Sequence, residues 1–238
     1  MVLNYAHRGS LTEAPENTLP AFQKAFNHGA KGIELDVQLT KDDHLVVCHN
    51  HTFSKYNKEV NGRIRDFTLE KIRQIDVGSN FSEAFKGVTL PTLEEVLEIC
   101  PADVKVNVEI KNIPVIYPGI EERLLECLQR YNRLDNLLIS SFDHVALEKV
   151  QQLAPSVELG MLFYYRILRA WEYAKNSGLN ITSIHPNNVY TDQEFVESCK
   201  EHGFQVYPYT VNTVERYEEL VDFGVNGVFS NSPEVFGK

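Results

Sequence analysis

The sequence predicts an eight-stranded (β/α)8 TIM barrel, and three observations carry that expectation. Apolar, β-branched runs alternate with segments of helical spacing along the chain, the pattern of a parallel sheet wrapped by helices. There are nine such runs, but two lie too close together to be parallel neighbours. The length of 238 residues, with 43% hydrophobic and 24% charged residues, suits one barrel domain spanning 1–238.

The elements follow in order. "VLNYAH" (Val2 to His7) is the first strand. In the helix after it, Leu19, Phe22, Phe26 and Gly29 recur at three and four, and Asn17 or Thr18 can cap its start, with Pro20 in the first turn. "GIELDVQL" (Gly32 to Leu39) and "LVVCH" (Leu45 to His49) come next. Only "QLTKDDH" joins them, and a parallel crossover needs a dozen or more residues, so they form an antiparallel hairpin. The return strand opens an insertion from His51 to about Val88, rich in Asn, Lys and Gly. Thr92 to Glu95 matches a capping box ahead of the next helix, and "VKVNVEIK" (Val104 to Lys111) is the strand after it. Leu124, Leu128 and Tyr131 mark another buried helical stripe. The remaining strands are "LLISSF" (Leu137 to Phe142), "VELGMLF" (Val157 to Phe163), "ITSIHP" (Ile181 to Pro186), "FQVYPYT" (Phe204 to Thr210) and "GVNGVFS" (Gly224 to Ser230). Thr191 to Glu194 and Asn212 to Glu215 supply capping signals between them. Only "NSPEVFGK" remains, so the eighth helix is short or absent.

Composition excludes several functions. The formal net charge is −10, and no Lys/Arg run offers a nucleic-acid surface. A phosphate-bearing substrate would need local cations or a metal to hold it against that field. Cys48, Cys100, Cys127 and Cys199 are scattered without a CxxC pair, as expected of reduced core residues in a cytosolic protein. No charged segment followed by an apolar stretch opens the chain, and no apolar run approaches the roughly 18 residues of a membrane span. A cytoplasmic protein without a membrane span is the expectation.

Strand periodicity isolates the candidate site. In "GIELDVQ", Ile33, Leu35 and Val37 share one face, and Glu34, Asp36 and Gln38 the other. In "VKVNVEIK", Val106, Val108 and Ile110 oppose Asn107, Glu109 and Lys111. If the apolar faces meet the helices, Glu34, Asp36, Glu109 and Lys111 point into the barrel. Buried carboxylates are costly unless paired or metal-bound. Three on neighbouring strands suit one hard divalent cation, Mg²⁺ or Ca²⁺; the alternative is a structural ion-pair network of Glu109 and Lys111. A turn near Lys41 to His44 that pairs Thr40 with Leu45 would set His49 opposite Asp36, on the same inner face. His7 ends the first strand at the C-terminal mouth, where barrel active sites lie. Arg8 beside it can grip a phosphate with its guanidinium fork. His28, His44, His51, His144 and His202 read as surface residues, His185 as a mouth residue without a catalytic role, and Glu16 as a weaker site contact. Phe163 and Tyr209, at strand ends, are candidate walls for a substrate.

These residues resemble the glycerophosphodiester phosphodiesterase family. The similarity runs through "AHRGSLTEAPENTLPAFQKAFNHGAKGIELDVQLTKDDHLVVCHN", then "GVTLPTLEEVL" and "VNVEIK", with weaker echoes in "ISSFD" and "PYTVN". The resemblance implies an eight-stranded barrel with an insertion after the second strand. It assigns acid–base catalysis to His7 and His49, the metal to Glu34, Asp36 and Glu109, and phosphate binding to Arg8 and Lys111. The implied reaction hydrolyses a small-molecule glycerophosphodiester to glycerol 3-phosphate and an alcohol, by way of a cyclic phosphate. Asn50 stands where the family usually has Asp, and Tyr209 where Trp is frequent. Two rival functions remain: a relative acting on lysophospholipids or stopping at the cyclic phosphate, and a non-catalytic binding barrel. A long apolar groove in the insertion would support the lipid substrate, but its apolar positions are scattered.

Overall fold

A computed structural model describes residues 2–236. The strands are β1 Leu3–His7, β2 Gly32–Leu39, β3 Leu45–Val47, β4 Lys105–Ile110, β5 Leu137–Ser141, β6 Glu158–Phe163, β7 Ile181–Pro186, β8 Gln205–Val206 and β9 Gly227–Ser230. The helices are α1 Leu19–Asn27, α2 Leu69–Ile72, α3 Leu93–Ile99, α4 Ile120–Arg130, α5 His144–Leu153, α6 Ala170–Asn176, α7 Gln193–Glu201, α8 Val214–Asp222 and α9 Pro233–Phe236. The sheet runs β8-β7-β6-β5-β4-β2-β1-β9 with parallel neighbours, and β3 pairs antiparallel with β2. Bonds from Phe229 N–H to Pro208 O and from Val211 N–H to Phe229 O draw β9 toward the segment after β8. The result is a nearly closed (β/α)8 barrel, as the alternation predicted. The eighth strand in sequence, β8, is only two residues long, shorter than the run "FQVYPYT" suggested.

Period two sorts the strand residues as expected. Ile33, Leu35, Val37, Val106, Val108 and Ile110 join the main core between strands and helices. The opposite faces fill the barrel in layers. At the bottom, Tyr5, Leu138, Tyr207 and Phe229 form an aromatic plug, with the Tyr5 and Phe229 rings stacked at 4.9 Å. Above it sit Ser183, His185, Asn107 and Ser140, all buried. The carboxylates of β2 and β4 lie nearer the mouth, where Asp36 is level with Glu109.

The insertion builds its own small core from Phe53, Tyr56, Ile64, Ile72, Ile75 and Val77, closed by Val46 and Leu90. Its scattered apolar residues therefore pack inward around short helical turns. The Thr92 capping box forms as read, with reciprocal bonds to Glu95. Two other caps fall one residue later than the sequence signals: Asp192 accepts from Phe195 N–H, and Thr213 from Arg216 N–H. Thr18 occupies the N-cap position ahead of α1, but its hydroxyl donates to Pro15 O and caps no helix N–H. The eighth helix is the four-residue α9, and all four cysteines are buried and free.

Three histidines expected at the surface are half-buried. His51 bonds Ile113 O and stacks on Tyr117. His144 bonds Leu162 O and packs on Phe163, and the Nδ1 of His202 bonds Ser198 O. Each ring satisfies a backbone carbonyl at an element end, which outward periodicity does not reveal. His28 and His44 are exposed as predicted.

His185 lines the cleft at the mouth, as the sequence allowed, but from its floor: it is fully buried and bonds Ser183 Oγ at 2.8 Å. Its ring covers Gly160, where a Cβ would come within 2.5 Å of the imidazole. Burial lowers the pKa of His185 to about 3, aided by the charge of Lys105. An unfolded histidine binds its proton near pH 6.5. Below that pH the unfolded chain takes up a proton that the fold excludes, so this residue makes stability fall on acidification. From pH 7 to pH 5 the wild type is expected to lose about 2 kcal/mol more than His185→Gln in urea unfolding. Parallel losses in the two proteins would contradict a neutral, buried ring.

Candidate active site

"His-Arg-Gly" occupies the end of β1 for local reasons. His7 is the last strand residue, paired with Glu34 in register. Arg8 then turns in the left-handed region at φ 58°, a costly conformation for a branched-out side chain. Its single backbone N–H helps hold it there, shared between the Glu34 backbone oxygen at 3.0 Å and Glu34 Oε2 at 3.1 Å. Gly9 follows at φ 90°, and a Cβ on it would lie 2.6 Å from the Ala21 carbonyl carbon. Only glycine lets α1 pack this close.

Glu34, Asp36 and Glu109 converge, each offering an oxygen within 4.8 Å of the others. Two cations answer them. Lys111 Nζ is 2.7 Å from Glu109 Oε1 and 3.6 Å from Asp36 Oδ1. Arg8 Nε is 3.3 Å from Asp36 Oδ2, and its Nη1 is 3.2 Å from Glu16 Oε2. Asn17 donates to Asp36 Oδ2 at 2.8 Å. Burial pushes Glu34 well above the usual carboxylate range, and the charge of Asp36 adds to it. Burial also raises Glu109, with Lys111 opposing and Asp36 reinforcing the shift. Asp36 is buried too, yet Arg8, Lys111 and His49 hold it well below that range. Glu34 Oε1 and Asp36 Oδ1 have no hydrogen-bond partner among the described residues. Unpaired oxygens on buried carboxylates, one of them resisting ionisation and the other charged, are what a hard cation relieves. The donor set fits a divalent ion, and the three residues form a possible acidic metal site.

Both predicted histidines reach this cluster, one by an unexpected route. The hairpin pairs Val37 with Val47 and Leu39 with Leu45, one residue out of the expected register. Cys48, not His49, therefore bonds across to Asp36 O. A regular strand would turn His49 away. Instead β3 ends at Val47, pairing stops, and the irregular backbone returns His49 to the cleft. His49 Nδ1 lies 2.7 Å from Asn50 Oδ1, and His7 Nδ1 lies 2.7 Å from Asn231 Oδ1. A carboxamide oxygen only accepts, so each ring carries its proton on Nδ1 and leaves Nε2 bare. His7 Nε2 is 3.9 Å from Glu34 Oε2. Burial lowers His7 to about 3, with Arg8 reinforcing it, and burial lowers His49 against the pull of Asp36.

These groups line a cleft of about 330 Å³ at the barrel mouth. Glu34, Glu109, Lys111, Arg8 and both histidines face it, and Asp36 lies fully buried beneath. Phe142, Leu162, Tyr164 and Tyr209 form its apolar side. Lys111 Nζ sits 5.7 Å from the Phe142 ring centre, and Tyr209 donates to Phe163 O.

The glycerophosphoryl diester phosphodiesterase family profile matches residues 7–235. The chain is 42% identical over 230 residues to the glycerophosphodiester phosphodiesterase of Caldanaerobacter subterraneus subsp. tengcongensis, covering 96% of this chain and 93% of that protein. A Bacillus altitudinis glycerophosphodiester phosphodiesterase is 36% identical over 236 residues, 97% of this chain and 94% of its own. Among solved structures, an Oleispira antarctica phosphodiesterase in complex with the product sn-glycerol-3-phosphate superposes with a TM-score of 0.90. Its identity is 29%, and 99% of this chain and 95% of that one are covered. The chain belongs to the glycerophosphoryl diester phosphodiesterase family.

In this phosphodiesterase the structure brings together His7, Arg8, Glu34, Asp36, His49, Glu109, Lys111 and Tyr209. Phe163 is the exception. Leu162 and Tyr164 take the inner face of the β6 end, so Phe163 between them points outward into the core under α6. Asn231 and Asn17 were missed. Asn231 directly follows β9, the strand beside β1, and that adjacency was the available signal. Asn17 was read only as a cap, whereas at φ 55° its amide reaches Asp36.

The asparagine contacts predict the state of both rings. At pH 7, ¹⁵N-detected NMR of the phosphodiesterase should show His7 and His49 neutral with the proton on Nδ1. A proton on Nε2 in either ring would contradict the assigned bonds.

Proposed function

We propose that this chain hydrolyses glycerophosphodiesters to glycerol 3-phosphate and an alcohol in a reaction that depends on a divalent cation. The observation that carries this is the junction of three buried carboxylates, two cations and two bare histidine Nε2 atoms in one small cleft. The product held by the Oleispira relative supports the substrate class. Buried free cysteines suit a reducing, cytoplasmic setting.

Glu34, Asp36 and Glu109 would hold the cation, Mg²⁺ or Ca²⁺, which supplies Lewis-acid polarisation of a phosphoryl oxygen when bound. Arg8 and Lys111 meet the charge that develops on phosphorus-bound oxygens. Both are buried against carboxylates that raise their pKa against the effect of burial, so they stay protonated at neutral pH. One histidine Nε2 takes the proton of the substrate's 2-hydroxyl as that oxygen bonds phosphorus. The other histidine, protonated from solvent before the step, donates that proton to the departing alkoxide as its P–O bond breaks, and the proton held by the first histidine returns to solvent. Water then opens the cyclic phosphate to glycerol 3-phosphate. Tyr209 and Phe142 wall the cleft beside the phosphate subsite. Phe163 has no place in it.

Activity is expected to vanish in excess chelator and return with Mg²⁺ or Ca²⁺, and Glu34→Gln is expected to lose it while keeping the fold by circular dichroism. Undiminished turnover without metal would remove the cation from the reaction. His7→Ala and His49→Ala are each expected to lower kcat by roughly 10²- to 10⁴-fold, with His28→Ala near wild type. Unchanged turnover in His49→Ala would break the role given to the hairpin end. Intramolecular attack gains about 10⁵ M or more in effective concentration over a free nucleophile. A 2-deoxy glycerol analogue should therefore bind and scarcely react, while glycerol 1,2-cyclic phosphate is hydrolysed. Cleavage of the analogue as fast as glycerophosphocholine would assign the attack to water directly.

A further inference from the structure

The cleft opens beside a surface that the phosphodiester chemistry does not use. Among the described residues, fifteen large apolar or aromatic side chains are exposed. Six of them, Tyr164, Tyr165, Ile167, Leu168, Val189 and Tyr190, sit on the two neighbouring loops after β6 and β7. Single exposed apolar residues need no explanation, but a cluster on one face does. Leu168 is 88% exposed, Val189 75% and Tyr165 72%, far more than a core-facing loop leaves in water. The loops enclose a groove of about 530 Å³ that includes Tyr165, Leu168, Trp171 and Tyr190.

We propose that this face docks on an anionic phospholipid bilayer. The charge on the loop after β6 favours that partner. In a chain of net charge −10, the segment from Tyr164 to Arg169 carries two arginines and no acid. Arg166 and Arg169 are more than 60% exposed at their side chains, and among the described residues their only ion pairs are with exposed Asp192 and Glu172. Exposed pairs of this kind contribute little and exchange readily for lipid phosphate. Tyrosines beside arginines with a projecting leucine match the chemistry of the headgroup boundary. The loop after β7 is fixed from below, where Arg216 donates to Asn188 O and Thr191 O. Val189 and Tyr190 are thus presented by a supported turn.

The surface continues into the site, because Tyr164 lines both the apolar loop and the catalytic cleft. Docking would place the barrel mouth against the headgroup layer. Among the described residues the insertion exposes Phe81 but no comparable cluster, since most of its large apolar residues close into their own core. The apolar region that a lipid-linked substrate needs lies at β6 and β7 instead.

The test is cosedimentation of the full chain with vesicles of phosphatidylcholine and phosphatidylglycerol, beside vesicles of phosphatidylcholine alone. The wild type is expected to bind the anionic vesicles, more weakly as salt rises. Tyr165→Ser with Leu168→Ser, and separately Arg166→Gln with Arg169→Gln, should each lower binding roughly tenfold or more. Turnover of soluble glycerophosphocholine, measured on the same samples, should stay at the wild-type value, because none of the four residues touches the cleft. That readout reports folding and separates failure of docking from failure of the catalytic reading. No binding to anionic vesicles, equal binding to neutral ones, or variants that bind like wild type would overturn the proposal. So would a dimer that Leu168→Ser disrupts and vesicles do not.

Discussion

Three carboxylates share the inside of a barrel, and most of the local structure answers the cost of that charge. Buried like charges resist ionisation, and opposite charges recover only part of what desolvation removes. The recovery here is layered. Asp36 is ionised because Arg8, Lys111 and Asn17 reach it. Arg8 can do so only from a left-handed backbone, which Gly9 and the close approach of α1 make possible. Glu16 then orients the guanidinium, and Lys55 and Tyr56 hold Glu16 at 2.7 and 3.0 Å. The insertion thus supports the site through one buried carboxylate. An ion network of this kind is weak evidence for stability, so its persistence is better explained by what it binds.

The two asparagines belong to the same electrostatic account. A carboxylate at Asn50 or Asn231 would hold the ring in the same tautomer. It would also add negative charge beside Glu34 and Glu109, whose ionisation burial already opposes. The amide fixes the proton on Nδ1 without that addition. The departure at Asn50 therefore preserves the geometry of the ring while lowering its basicity. Asn231 does the same for His7 from the opposite end of the chain.

The sequence made the barrel and its inner carboxylates legible because strand alternation is a local rule. Glu34, Asp36, Glu109 and Lys111 needed only period two and a decision about which face is apolar. Register is less local. Moving the hairpin by one residue changed the partner of Asp36 from His49 to Cys48, and the histidine reached the cleft only because regular pairing ends at Val47. Phe163 failed for the same reason, since whether a strand-end residue faces in or out depends on the parity of that end. Asn231 was missed because its contact with His7 spans 224 residues and emerges only once β9 is set beside β1. His185 was placed at the mouth by its position in "ITSIHP", but the missing side chain of Gly160 on the next strand lets it sink inward.

The two ends of the barrel divide the physical work. The aromatic plug of Tyr5, Tyr207 and Phe229 seals one end with well-packed rings whose burial stabilises the fold. His185 rests against two of those rings, at 5.5 Å from Tyr207 and 5.1 Å from Phe229. The other end carries the costly charges, the left-handed arginine and the exposed loops. A site of that composition cannot be optimised for stability without giving up ionised carboxylates or accessible apolar surface. The plug and the outer aliphatic core make that arrangement sustainable, because they are buried beneath the mouth, with Phe229 at its floor. Residues at the mouth are therefore free to answer to the chemistry of the cleft, while the lower barrel keeps their strands in register.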